Sequence, residues 1–383
     1  MVYLPDGETP LANEDGSLNI GGSGTSVELD DSLTYQGKAA DAKATGDALG
    51  ALSQQIDNEY LKKQQCGFVT PQMYGAVGDG IADDSAAIAS AFNSDIKHVH
   101  FPKGIYKCNG FTFNNADHVG LNVTGMGIES RILLTAPFTF ADGGIYHIKF
   151  SNFSTQSVSH NHAHFNLDKC LNCELRDITM FGANSEGALL VISESHENHE
   201  VVVDSCYIDT WGLEGMYGIY YGAGGGDFEL NDTIIQGRGT LQRCVRFKDT
   251  GSTHVSGCHF YGAATGGYVV NITAPTSMIS FSSCFIDSYN NDSRLVHIEN
   301  APNGGVNFNG CSFFISDTCG GGISFHEARK HIIANCVFVG SNPPTAAIFG
   351  NAEGDSAYIN CVSMPDYWTN KVVNITRISP ETC

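Results

Sequence analysis

Apolar and polar positions in the second half of the chain repeat as a single phrase. The segments Val203-Asp204-Ser205-Cys206-Tyr207-Ile208, Val255-Ser256-Gly257-Cys258-His259-Phe260, Phe281-Ser282-Ser283-Cys284-Phe285-Ile286, Phe308-Asn309-Gly310-Cys311-Ser312-Phe313 and Ile333-Ala334-Asn335-Cys336-Val337-Phe338 all follow it. Leu230-Asn231-Asp232-Thr233-Ile234-Ile235 is a variant with Thr233 in the cysteine place, and Cys361 closes the series. From Cys206 the steps are 27, 25, 26, 27, 25 and 25 residues, and Cys173 stands one longer step earlier, at 33. A fixed period in this range marks a solenoid, whose repeats bury their apolar faces only against neighbouring repeats.

Within each copy apolar residues occupy the positions five and three before the cysteine, the cysteine itself and the position two after it. This is the pattern of two period-2 strands meeting at a corner. The corner pairs Asp204-Ser205, Asn231-Asp232, Ser256-Gly257, Ser282-Ser283 and Asn309-Gly310 are residues that bend a backbone cheaply. Val245-Arg246-Phe247, Leu295-Val296-His297-Ile298 and Ile323-Ser324-Phe325 supply a third strand per coil. The expected fold is all-β, a right-handed parallel β-helix with three strands per coil. Coils about 4.8 Å apart then place like residue over like, and the cysteines stack inward as small apolar groups rather than as disulfides. No pair of CxxC motifs at zinc spacing occurs, so no metal site is assigned.

The charge narrows the partners. At a net −21, with 20 basic against 41 acidic residues, nucleic acid is excluded, because affinity for phosphate backbones comes from Lys and Arg. An anionic glycan is repelled unless a divalent cation such as calcium bridges it; no other cofactor is required. No apolar run is long enough to insert into a membrane, and Met1-Val2-Tyr3-Leu4-Pro5-Asp6 does not read as a secretory signal.

Val69-Thr70-Pro71-Gln72-Met73-Tyr74-Gly75-Ala76-Val77-Gly78-Asp79-Gly80-Ile81-Ala82-Asp83-Asp84-Ser85-Ala86-Ala87-Ile88, followed by His100-Phe101-Pro102-Lys103-Gly104-Ile105-Tyr106, resembles the opening motif of the pectate-lyase-like (pectin lyase-like) β-helix superfamily. That superfamily includes phage tailspikes, glycan depolymerases and bacterial pectinases. With the ladder, the resemblance covers roughly residues 66 to 365. It implies a solenoid capped by a short N-terminal helix through Phe92, with Asp79, Asp83 and Asp84 serving turns and caps rather than catalysis. Gln36-Gly37-Lys38-Ala39-Ala40-Asp41-Ala42-Lys43-Ala44-Thr45-Gly46-Asp47-Ala48-Leu49 is similar to the N-terminal stalks of tail proteins in phages and prophages of gut bacteria. Ala42, Thr45, Leu49, Leu52, Ile56 and Glu59 fall at alternating steps of three and four, a short coiled-coil seam suited to a homotrimer, with an ordinary linker helix as the alternative. The expected organisation is a flexible attachment arm over 1–33, a helical stalk over 34–64, the β-helix over 65–365 and a tail over 366–383.

Chemistry on a closed solenoid must use outward residues of adjacent coils. Counting back from the ladder, the first strand presents Glu200, then Asp227 and Glu229, then His254. Asp227 and Glu229, two apart on one face, place their carboxyls roughly 5 to 8 Å apart, the range used for acid and base work on a glycosidic bond. An acidic wall that is merely solvated, or a cation site, is the alternative. Past the corner, Asp209, Gln236, Tyr261 and Asp287 form a second outward column, with Trp211, Glu214, Tyr217, Tyr220 and Tyr221 in the turn and strand beyond. Flat rings beside carboxylates and amides suit a sugar. Arg246, Lys248, His297, Glu299 and His326 add a mixed row that reads first as a plain exposed face and otherwise as able to hold an acidic sugar, and Ser159-His160-Asn161-His162-Ala163-His164 reads as a surface strand rather than a metal site.

Neither the Asn-Thr-Asp and Gly-His-Gly pattern of polygalacturonases nor the arginine base of pectate lyases is found, so the motif argues for the scaffold and not for pectin cleavage. The resemblances imply a phage or prophage tailspike that docks on the virion tail or baseplate through its arm. It would bind a bacterial surface or cell-wall polysaccharide, with depolymerisation, as a glycoside hydrolase or polysaccharide lyase, the weaker expectation. A binding-only tail protein and an extracellular bacterial carbohydrate-active enzyme are the alternatives.

Overall fold

The alternation written in the sequence becomes strands because each inward side chain finds apolar neighbours one coil above and one below. The computed structural model describes residues 67–364 apart from 141–143, 160, 168–169, 183–186, 193–198, 211–214, 223–225, 238–240, 263–265, 289–293, 302–303, 316–320, 329–330, 341–347, 353–356 and 360. The chain divides into two units, Met1–Gly67 and Phe68–Cys383. The arm, the stalk and the C-terminal tail lie outside the described residues, as do Trp211, Glu214 and His160.

Three walls of parallel strands wind through the second unit. The first wall includes Cys170–Arg176, His199–Asp204, Gly226–Asn231, Thr253–Ser256, Ile279–Ser282 and Val306–Asn309. The second includes Thr179–Phe181, Tyr207–Asp209, Ile234–Gln236, His259–Tyr261, Phe285–Ser288 and Ser312–Ile315. The third is a separate ten-stranded sheet that runs through Ala188–Ile192, Gly215–Tyr221, Leu241–Lys248, Tyr268–Thr273, Arg294–Ala301 and Gly321–Ala328. Each strand pairs with its counterpart one coil on, as Val203 with Leu230 and Leu230 with Val255. The architecture is the expected parallel β-helix.

The four inward slots hold. Val201, Val203, Cys206 and Ile208 are buried, as are Phe228, Leu230, Thr233 and Ile235 in the next coil and Ile279, Phe281, Cys284 and Ile286 two coils on. The ladder cysteines are free thiols, all buried but Cys361. Each satisfies its weak donor on a carbonyl, Cys258 on Leu230 and Ser256 at 3.3 Å and Cys336 on Ala334 at 3.2 Å. Thr233 keeps the pattern because its hydroxyl donates to Asn231 O at 2.9 Å and accepts from Cys206 N at 3.2 Å.

The corner between the first and second walls turns on a residue in the left-handed region. In successive coils it is Asp177 (φ 53°), Ser205 (53°), Asp232 (45°), Gly257 (64°), Ser283 (54°), Gly310 (65°) and Asn335 (54°). Asn, Asp and Gly tolerate that conformation best. A Cβ at Gly257 would lie 2.2 Å from Asp232 Oδ1, so a side chain there needs the Asp232 carboxylate to move aside.

Helix α1 (Ser85–Phe92) packs Ala87, Ile88, Ala91 and Phe92 onto the first coils. The Phe92 ring sits 5.0 Å from Phe111 and 5.3 Å from Phe113. The three aspartates before it serve turns: Asp79 accepts from Ile81 and Ala82 N–H, Asp83 from Ser85, and Asp84 from Val77 and Gly78 N–H at 2.7 and 3.1 Å. Asp84 occupies the helix N-cap position, but its side chain caps the turn instead.

Two expectations need correction. Cys173 is not the start of the ladder, because it stacks on Val201 within the first wall, and Ile178 fills the slot beneath Cys206. The slot selects small or aliphatic bulk, so an Ile continues the column without any cysteine to mark it. Tyr221 points inward, fully buried, with its ring 4.7 Å from Phe228.

Candidate functional site

The first wall's outer face is governed by register. Lys149 stands over Glu174 and bonds it at 2.8 Å, and Arg176 stands over Asp204 and bonds it at 2.8 Å. Opposite charges one coil apart stabilise a ladder, and like charges weaken it. The two cations hold the Glu174 carboxyl below its usual range.

Glu200 breaks the rule. It stacks on Asp227, bracketed by the pairs His199–Gly226 and Val201–Phe228, and both side chains are exposed. Among the described register pairs it is the one case of like charge directly over like charge. Both residues have left-handed backbones, φ 56° and 54°, in a column that begins with His147 (62°) and Asn172 (56°). Such conformations cost energy for residues other than glycine and persist where surrounding structure enforces them. Asn172 donates to Glu200 Oε2 at 3.1 Å, and Asn231 contacts Glu229 Oε2 at 3.4 Å. His254 stands directly over Glu229, as the sequence reading requires. The four proposed acid–base residues therefore lie on one face of three successive coils.

The second wall carries two outward columns. Tyr207, Ile234, His259 and Phe285 form one, and Phe181, Asp209, Gln236, Tyr261, Asp287 and Phe314 form the other. Ile234, Phe285 and Phe314 are about two-fifths exposed, which is high for large apolar side chains. His259 lies edge-on to Phe285 at 4.9 Å with Nε2 3.4 Å from Asp287 Oδ1. Asp209 stands in its expected column but is only 4% exposed, with the Tyr207 hydroxyl 3.3 Å from its Oδ2 and 2.9 Å from Gln236 Oε1. It positions Tyr207 rather than offering a free carboxylate.

The third wall holds Tyr220, Arg246 and His297 in one column, continuous through Asn271. Sequence reasoning missed its companion column, Tyr217, Arg243, Tyr268 and Arg294. The missed signal was a pair of consecutive inward residues in each coil, Gly218-Ile219, Cys244-Val245, Val269-Val270 and Leu295-Val296, which shifts the alternation by one. The described substrate-binding candidates thus divide between the second wall, with Asp209, Tyr261 and Asp287, and the third, with Tyr220, Arg246 and His297. His164, by contrast with the surface reading of its segment, is buried, with Nδ1 2.7 Å from Thr155 Oγ1. No group of three or more metal-binding side chains occurs among the described residues.

No protein-family model and no curated protein matches the chain. Solved structures do. ORF18 of Geobacillus virus E2 is 14% identical with a TM-score of 0.51, covering 82% of this chain and 64% of its own. Full-length tailspike protein 2 of the Escherichia coli O157:H7 bacteriophage CAB120 is 13% identical with a TM-score of 0.59, covering 76% of this chain and 42% of its own. PfbA, a surface adhesin of Streptococcus pneumoniae, is 14% identical with a TM-score of 0.52, covering 77% and 90%. This chain therefore spans less than two thirds of either viral protein. What a phage tailspike and a bacterial adhesin have in common with it is the scaffold: the chain has the parallel β-helix fold.

Proposed function

We propose that this protein is a tailspike-like polysaccharide-binding protein whose second wall receives an extended bacterial surface glycan. The observation that carries this reading is the ladder of rings on the outer face of that wall, half-buried at Tyr207, His259 and Tyr261 and exposed at Phe285 and Phe314. Tyr207, His259, Tyr261, Phe285 and Phe314 recur at coil spacing, with Gln236 and Asp287 between them. A pyranose stacks its apolar face on a ring while its hydroxyls take hydrogen bonds from adjacent amides and carboxylates, and a repeating wall suits a repeating polymer. The tailspike among the structural neighbours supports the same reading. The test is retention on immobilised capsule or cell-wall polysaccharide: Tyr261→Ala with Phe285→Ala should lower retention at least tenfold with an unchanged melting temperature, and undiminished retention would refute it.

Cleavage is a second reading, favoured by the like-charge stack of Glu200 on Asp227. Two carboxylates on adjacent coils, beside Glu229 and His254, are the components of acid–base attack on a glycosidic bond. Incubation with the bound polysaccharide, with and without calcium, should release reducing or unsaturated ends. Asp227→Asn and Glu229→Gln should abolish that release and leave retention intact. Retention without release under any cation condition would make the protein a binder only.

A further inference from the structure

We propose that the bend of the third wall is a binding site for an anionic group, a carboxylate or phosphate, carried on a saccharide. The proposal rests on the reading that the outer surface binds a polysaccharide, and it names the chemistry of the sugar.

The site arises from the doubled inward residues. Because Gly218-Ile219 and Cys244-Val245 both face the core, the residues flanking each pair turn outward and converge. Tyr217 and Tyr220, on one strand, bring their ring centroids to 5.7 Å. One coil on, Arg243 and Arg246 both reach back to Tyr217: their Nη1 atoms donate to its Oη at 3.3 and 2.9 Å. The Arg243 guanidinium lies 5.4 Å from the Tyr217 ring and 5.6 Å from Tyr268, and that of Arg246 lies 5.7 Å from both Tyr217 and Tyr220. Arg243 is thus layered between Tyr217 and Tyr268, and Arg246 packs against Tyr217 and Tyr220, two rings that are themselves buried at 6% and 7% exposed.

This is a prepared arrangement rather than a solvated charge row. Two like charges converge on one phenol oxygen, and among the described residues no carboxylate pairs with Arg246. A guanidinium anchored by one nitrogen keeps further N–H groups in a planar fork, which matches the oxygen pair of a carboxylate or phosphate. Beside it Tyr268 is held between the Arg243 guanidinium and the His297 ring, which it parallels at 4.5 Å and 14°, so the ring edges that a sugar bearing the anion would meet are fixed. His297 is fixed by Ser324 Oγ at 2.8 Å and Glu299 Oε2 at 3.0 Å, and burial holds its imidazole below the ordinary value. On a molecule of net charge −21, a cationic strip decides where an anionic polymer can settle.

The test uses isothermal titration of the whole protein with three probes: a glucuronate-containing oligosaccharide, its carboxyl-reduced neutral counterpart, and a glycerol-phosphate oligomer bearing glucose. Wild type should prefer one anionic probe to the neutral one, with an affinity that falls as salt rises. Arg243→Gln with Arg246→Gln should lower anionic affinity about tenfold to a hundredfold, the worth of one to two charge-assisted hydrogen bonds, without changing neutral binding. Arg246→Lys keeps the charge and loses the fork, so it should fall between. It serves as the test if the glutamine variants fold poorly. Equal binding of all probes by wild type, or an unaffected double variant, overturns the proposal. If the double variant instead separates copies of the protein on sedimentation while anion binding is unchanged, the face is a contact between copies and the proposal fails. Binding of the neutral probe alone sinks this site and leaves the second-wall reading standing, whereas no retention on any polysaccharide sinks both.

Discussion

Inside the corner, thiol stacks on thiol; on the third wall, cation alternates with ring. Both columns repeat at coil spacing, so both bring equivalent side chains within a few ångströms. Cys284 sits between the sulfurs of Cys258 and Cys311, within hydrogen-bonding reach of both. Such stacking is tolerable because a thiol, unlike a guanidinium, can be buried as a neutral group; burial pushes Cys206, in the same slot, up to about 12. Guanidinium groups cannot become neutral, and accordingly Tyr217, Arg243, Tyr268 and Arg294 interleave. The first wall obeys the same rule through Lys149 over Glu174 and Arg176 over Asp204, and departs from it at Glu200 over Asp227. A repeat fold can copy neutral residues freely and must alternate charged ones, so an uncompensated charge stack marks a place where something other than folding was selected.

The contrast can be broken most severely from inside. Cys284→Asp would place an ionisable acid in the dry column and should cost several kcal/mol, enough to prevent the cooperative transition seen by circular dichroism, whereas Cys284→Val should cost less than about 1.5 kcal/mol. Phe281→Ala removes a ring stacked 4.8 Å over Phe308 and should lower the unfolding free energy by about 3–5 kcal/mol in urea titrations.

His331 extends the interior rule to a titratable group. It fills the slot five before Cys336 and accepts from Val306 N at 3.2 Å, and burial pushes its imidazole down to about 4. The folded chain therefore holds a neutral ring where the unfolded chain would be protonated below about 6.5. Its contribution should be complete above pH 6.5 and fall away as the pH drops toward 4, by about 3 kcal/mol in all. Unfolding titrations across that window should show the loss, and His331→Leu should flatten it.

The outer exception should respond least and in the opposite sense. Glu200→Gln relieves the like-charge stack and should raise stability by a few tenths of a kcal/mol at low salt, an effect that shrinks as salt is added. Destabilisation by this change would mean that the stack is compensated by groups other than those named.

Much of this was legible in the residues. The four inward slots, the left-handed corners and the parallel register all follow from small polar pairs set before a cysteine at a steady period. Each is a local requirement repeated many times, so errors in one coil are corrected by the next. Asp227, Glu229, Glu200 and His254 fell on one face for the same reason. Cys173 was misplaced because the slot accepts any compact apolar residue, and the chain uses Ile178 there. Tyr221 was misjudged, and Arg243 and Tyr268 overlooked, because consecutive buried residues interrupt strict alternation on the third wall.

The sequence alone determined how the backbone winds, since winding depends on periodic burial and on residues that accept a positive φ. Which outward groups meet was decided only in three dimensions. Arg243 and Arg246 converge on Tyr217 because a one-residue shift in phase turns their side chains together, and Asp209 is covered because Tyr207 leans across it. Burial is enforced at every coil and leaves a periodic trace in the residues. Convergence at the surface depends on side-chain directions across neighbouring coils, and no single stretch of sequence encodes it.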